Sequence, residues 1–163
     1  MSKKYNLTFT GGCILAANDT KDRAKYPWIT VCDIIVMIDG VKLVIPKGFH
    51  TDLASSGPAK GLCDTNGIEN LAPILHDFLY AAEIFPRNIS DLLFRDALDV
   101  LGADKWKIPV MYQAVNLFGW IGYKEAHSLN RITVIRGLAG INTDDIKRPC
   151  WLKISDIKQE FSV

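Results

Sequence analysis

An α+β fold is the class this sequence predicts: an N-terminal antiparallel sheet with a three-helix cluster packed against it. Three observations predict it. Residues 28–45 are dense in Val, Ile and Thr and are split by Asp39-Gly40. Residues 71–82 carry apolar side chains at helical spacing. Two further apolar-periodic stretches follow from Ser90 onward, separated by Gly102.

Each element has its own signal. Residues 5–17 mix β-formers with Gly11-Gly12, which predicts a strand, a glycine turn and a second short strand. The polar run from Asn18 to Arg23 reads as a loop. Trp28 to Ile38 and Val41 to Ile45 form a hairpin, because Asp-Gly supplies two residues that tolerate positive φ. Pro46 ends the second strand, since it has no N–H to donate. From Ser55 to Ile68 the chain is loop. Asn70 is placed to cap the first helix, with Pro73 in its first turn. Leu71, Ile74, Leu75, Phe78, Leu79 and Ala82 form its apolar stripe. Pro86 stops that helix, Ser90 caps the second, and Gly102 ends it. The third covers Lys105 to about Lys124 and is apolar nearly all round, which predicts heavy burial. Beyond Leu129 the signals weaken, with short strands expected at Arg131–Ile135 and Trp151–Ile154. No repeat or internal boundary breaks residues 1–163, so one domain is expected.

Composition narrows the function classes. Nineteen basic and eighteen acidic side chains leave a net charge of +1, which is no electrostatic footprint for nucleic acid or an anionic membrane. The opening residues carry no long apolar run, so no signal peptide is expected. No stretch approaches the roughly 20 apolar residues of a membrane span. A cytoplasm, or a particle assembled in one, is the expected location. Cys13, Cys32, Cys63 and Cys150 form no CxxC pair, which argues against a zinc ribbon and for buried reduced thiols.

The chemistry-bearing residues gather between Phe49 and Asp91. On a helix at about 100° per residue, His76 and Asp77 flank a polar face with Tyr80 between them. A divalent metal above that face, zinc or manganese, would take His76 and Asp77 as ligands and recruit Asp91. Asp52 and Tyr80 would then act on water or substrate. Each residue also has a structural reading. Asp52 is placed to cap a turn, and Asp91 to favour a helix dipole. His76 can meet a backbone carbonyl, and Asp77 can pair with Arg87 or Arg95. There is no GxSxG elbow, no GxGxxG and no phosphate loop.

Gly48-Phe49, Thr51-Asp52-Leu53-Ala54-Ser55, His76-Asp77-Phe78-Leu79-Tyr80, Asp91, Phe94, Ala97, Met111-Tyr112, Val115 and Gly119 together resemble a small family found in phages and prophages. Its members are mostly of unknown function. The resemblance covers roughly residues 28 to 122, and implies a phage context without a reaction. The family usually continues Ala-Ser with an apolar residue and Pro-Arg, where this chain has Ser56-Gly57-Pro58-Ala59. If that arginine holds a substrate or a carboxylate, this chain has lost it or substitutes Lys60, with Ser55 nearby as a further substrate-binding residue.

Two functions follow as expectations. One is a phage-encoded, metal-dependent hydrolase acting on a cell-envelope polymer or a nucleotide. The other is a non-catalytic virion or assembly component that binds a phage structural protein. The first requires Asp52, His76, Asp77 and Asp91 to converge on a cleft open to water. The second requires buried, mutually bonded polar groups.

Overall fold

A computed structural model describes residues 3–10, 15–19, 21–53, 67–82 and 85–128. Its N-terminal part holds two small antiparallel sheets, and three helices pack after them. The α+β expectation holds, but the single sheet divides in two. Strands β1 (Leu7–Thr10), β4 (Ile34–Ile38) and β5 (Val41–Ile45) form one sheet in the order β1-β4-β5. Strands β2 (Leu15–Ala17), β3 (Trp28–Thr30) and β6 (His50–Thr51) form the other, in the order β2-β3-β6.

The β4–β5 hairpin is the expected one. Ile38 pairs with Val41 across Asp39 (φ 50°) and Gly40 (φ 86°), both left-handed as this tight turn requires. Ile34, Val36 and Ile38 alternate inward with Leu43 and Ile45, all nearly solvent-free. The expected strand from Trp28 to Ile38 is broken. The chain bends at Val31-Cys32-Asp33 and changes sheets, and Asp33 Oδ1 pins the bend by accepting the Lys47 N–H at 2.7 Å. Likewise β1 and β2 do not pair with each other; β1 pairs with β4 and β2 with β3. Buried Thr30 ties the second sheet together, since its Oγ1 accepts the Phe49 N–H at 2.9 Å and donates to Pro46 O at 3.0 Å. These bonds deliver the chain to β6.

Helix α1 (Leu71–Ala82) has its expected bounds, but ten of its twelve residues are buried. The anticipated open polar face is therefore covered; only Asp77 and Ala81 are half-buried. A 3-10 turn, Ile68–Asn70, leads into α1, and Asn70 Oδ1 makes no hydrogen bond, so the anticipated side-chain cap is not formed. Helix α2 (Arg87–Val100) begins one turn earlier than Ser90 suggests. Pro86 occupies its N-cap position and accepts the Ile89 and Ser90 N–H groups, which places Ser90 inside the first turn.

Helix α3 (Lys107–Ser128) departs most from expectation. Among its described side chains, 107–121, only a narrow apolar stripe faces inward: Met111 is buried, and Ile108 and Val115 are partly so. Val110, Leu117, Phe118, Trp120 and Ile121 stand about half exposed. An all-apolar helix sends one face to its neighbours whatever covers the other. Cys32 is half-buried. Cys13, Cys63, Cys150, the expected strands beyond Leu129 and the side chain of His127 lie outside the described residues.

Candidate functional site

The predicted residues divide between two places on α1. The first lies between α1 and α2. Asp91, fully buried on α2, accepts on a single oxygen, Oδ1, from the Tyr80 hydroxyl at 2.5 Å, with His76 Nε2 at 3.0 Å from the same atom. Tyr80 lies four positions after His76, so both reach one point and their rings lie 4.0 Å apart. The Phe94 ring closes the other side of His76 at 5.0 Å. Asp91 Oδ2 accepts no hydrogen bond and lies 3.9 Å from Arg87 Nη1, one helical turn earlier. Arg87 Nη1 donates instead to the Asn116 carbonyl of α3 at 3.0 Å. Burial, then the bond to Asp91, pushes the Tyr80 phenol well above its usual range. This cluster joins three helices.

The second place lies where β6 meets α1. Buried Thr51 donates from Oγ1 to Asp77 Oδ2 at 2.5 Å and accepts the Leu53 N–H at 3.1 Å. That turn holds Leu53 at φ 54°, a conformation costly to a side-chain-bearing residue, and such strain clusters at functional sites. Phe49 anchors the approach by packing edge-on against Phe78 at 5.4 Å. Asp52 meets Asp77 twice, by its backbone N–H and by its carboxyl. Burial raises the Asp77 carboxyl well above the carboxylate range, the Asp52 charge raises it further, and the Thr51 bond opposes both. Both side chains are half-buried.

Asp52, His76, Asp77 and Asp91 therefore do not converge at one place as anticipated. His76 and Asp91 pair on one side of α1, and Asp77 and Asp52 on the other. The physical reason is the helix itself: consecutive residues leave it about 100° apart. Among the described residues, no group of three or more His, Cys, Asp or Glu side chains is disposed to hold a metal ion. The suggested ion pairs also differ. Asp77 meets Thr51 and Asp52 rather than Arg87 or Arg95, and Arg95 bonds Asp96 and the Lys3 carbonyl. Ser55 and Lys60 lie outside the described residues.

Sequence reasoning missed three contributors. Thr51 was visible only as part of a motif, and its role depends on β6 meeting α1. Gly119 looked like a weak point in α3, yet a Cβ there would stand 2.5 Å from the Tyr80 hydroxyl oxygen. Arg87 preceded the expected helix start, and its bond to Asn116 spans 29 residues.

A protein-family model described as a protein of unknown function (DUF1353) matches residues 30–115, more than half of the 163-residue chain. The chain belongs to that family. The DUF1353 match includes Thr51, Asp52, His76, Asp77, Tyr80, Arg87 and Asp91, hence both polar clusters, and stops short of Gly119. No curated protein and no solved structure matches the chain. No helix among the described residues is long and apolar enough to cross a membrane.

Proposed function

We propose that this DUF1353 member is a phage-encoded hydrolase in which Asp52 and Asp77 form the acid–base pair. The observation that carries the reading is the half-buried Asp77 carboxyl, bonded by Thr51 next to the strained Leu53 turn and held well above the usual carboxylate range by burial and then by Asp52. Two carboxyls sharing one proton supply a base and an acid at once. A water oxygen attacks a substrate carbonyl carbon and gives its proton to Asp52. Asp77 gives its proton to the carbonyl oxygen. The tetrahedral intermediate then breaks its C–N bond as the leaving amine takes the proton from Asp52, and the hydroxyl proton returns to Asp77. The amide bonds of a cell-envelope polymer suit this chemistry, and the motif resemblance supports the phage setting. His76, Tyr80 and Asp91 hold α1 and α2 in register behind the pair.

The test incubates purified protein with peptidoglycan and follows release of free amino groups. The comparison is with Asp52→Asn and Asp77→Asn, each checked for fold by circular dichroism. Loss of about 10²-fold or more in both folded variants supports the reading. Undiminished activity in the variants, or none in the wild type, overturns it. Phosphate release from a nucleotide panel would keep the acid–base pair and change the substrate.

A second reading has one specific observation behind it. The half-exposed apolar side chains of α3, Leu117, Phe118, Trp120 and Ile121 among them, suit a non-catalytic assembly component that binds another phage protein. It predicts the chain in purified particles and no effect of Asp52→Asn on particle yield.

A further inference from the structure

Helix α3 turns Met111 inward and carries a second apolar stripe on its open side. Val110, Leu117 and Ile121 are 47%, 60% and 48% exposed, and Ala114 is half-buried among them. These four residues recur at spacings of four, three and four, which sets them on one side of the helix, about a quarter-turn from Met111. That spacing is the alternation of core positions in a heptad seam. Phe118 and Trp120 flank the seam on opposite edges, and Trp106 stands exposed just before the helix begins. The stripe rests on a fixed base. Gly119 lets α3 lie against Tyr80, and the Asn116 carbonyl accepts from Arg87 at 3.0 Å.

We infer that this stripe is the contact through which two copies of the chain pair, α3 against α3, antiparallel about a two-fold axis. The seam reads the same from either end. An axis between Val115 and Asn116 sets Val110 opposite Ile121 of the partner subunit and Ala114 opposite Leu117 of the partner subunit, and both contacts recur beyond the axis. Each layer puts a larger side chain against a smaller one, as knobs entering holes require. No charged residue lies between Lys107 and Lys124, so nothing along this part of the helix recruits a nucleic acid, an anionic membrane or an acidic peptide. The area is also sufficient. Aromatic side chains of about 150–250 Å² each, half exposed beside the aliphatic seam, offer on the order of 600 Å² per copy, close to the roughly 800 Å² per partner of a stable interface. This pairing names one occupant for the face that the assembly reading leaves to another protein, and it stands apart from the acid–base pair.

Sedimentation velocity of the full chain in reductant, from about 1 μM to about 100 μM, reads the mass directly. A species of twice 18.2 kDa is expected at the upper end. Leu117→Glu, a change at an exposed position, should return the chain to 18.2 kDa with its circular dichroism unchanged. Ile121→Glu repeats the test at the other end of the seam. Cysteine variants read the orientation. An oxidised mixture of Val110→Cys and Ile121→Cys should give a 110–121 crosslink, located by peptide mass spectrometry. Neither variant alone should link to itself at the substituted position, because the antiparallel arrangement holds like residues about 16 Å apart along the helix. A wild type of 18.2 kDa at every concentration overturns the pairing. If that monomer floats with phosphatidylcholine vesicles, the face belongs to a membrane surface instead. A dimer that survives both glutamate variants overturns the assignment to α3, and a 110–110 crosslink overturns the antiparallel arrangement.

Discussion

A Cβ placed on Gly119 would lie 2.5 Å from the Tyr80 hydroxyl oxygen, so α3 crosses α1 at a point where only glycine fits. The next atoms of that ring stand at 3.5 and 3.6 Å, which is ordinary contact. Gly119→Ala should therefore destabilise the wild type by about 1 kcal/mol or more, overpacking outweighing the better helix propensity of alanine. In a Tyr80→Phe background the same change should stabilise, because the obstructing oxygen is gone and the propensity gain of roughly 1 kcal/mol remains. Urea unfolding of the four proteins measures this reversal of sign.

Asp91→Ala removes the shared acceptor of His76 and Tyr80 in a site closed to water. A loss of about 3 kcal/mol is expected, because both buried groups lose the acceptor they share. Tyr80→Phe should cost less, since Asp91 keeps His76. Equilibrium denaturation checks the ranking; equal losses would mean that the cluster does not share Asp91 as described.

The Asp77 proton sets a pH dependence. Its folded pKa is raised, so the folded chain keeps this proton where the unfolded chain has released it. The favourable contribution is complete below the ordinary aspartate value of about 3.9 and is lost as pH rises through the folded value. Asp77→Asn removes this dependence. Its stability relative to wild type should climb with pH, as urea midpoints between about pH 4 and about pH 8 will show. Asp52→Asn should lower the Asp77 pKa, readable from the carboxyl carbon shift.

Asp99 behaves in the opposite way. Hydrogen bonds from Lys105 and Lys4 hold its carboxyl down at about 2. The stability it confers is present above the ordinary carboxylate range and is lost as pH falls through about 2. The site is open to solvent, so Asp99→Asn should cost under about 1 kcal/mol and the effect should shrink in high salt.

The split of the polar residues around α1 also predicts metal behaviour. Elemental analysis of chelator-free protein should find no stoichiometric zinc or manganese bound through Asp77. One equivalent that disappears in Asp77→Ala would restore a shared cage.

The β4–β5 hairpin was legible because Asp39-Gly40 must adopt positive φ and the flanking residues alternate. The span of α1 was legible because its apolar spacing allows no other element. The sheet change at Val31-Cys32-Asp33 was not, since it depends on Asp33 meeting Lys47 across the fold. The start of α2 was misplaced because serine is a common cap, whereas here Pro86 sets the first turn. The residues of the site were legible as a group through the Thr-Asp-x-Ala-Ser and His-Asp-x-Leu-Tyr motifs. Their partnership was not. A helical wheel places His76 and Asp77 but does not tell that α2 covers one and β6 the other. Burial of α3 was overestimated because composition fixes what a face is made of, not what lies against it.

The two residues of β6 pair with β3, and β3 is held in turn by β2. The acid pair therefore exists only after strand and helix, 26 residues apart at Thr51 and Asp77, have docked. A chain with α1 formed and β6 still loose would titrate Asp77 as a common aspartate. The unusual proton is thus a readout of completed assembly, and its uptake in a refolding experiment would time the last tertiary contact rather than the first helix.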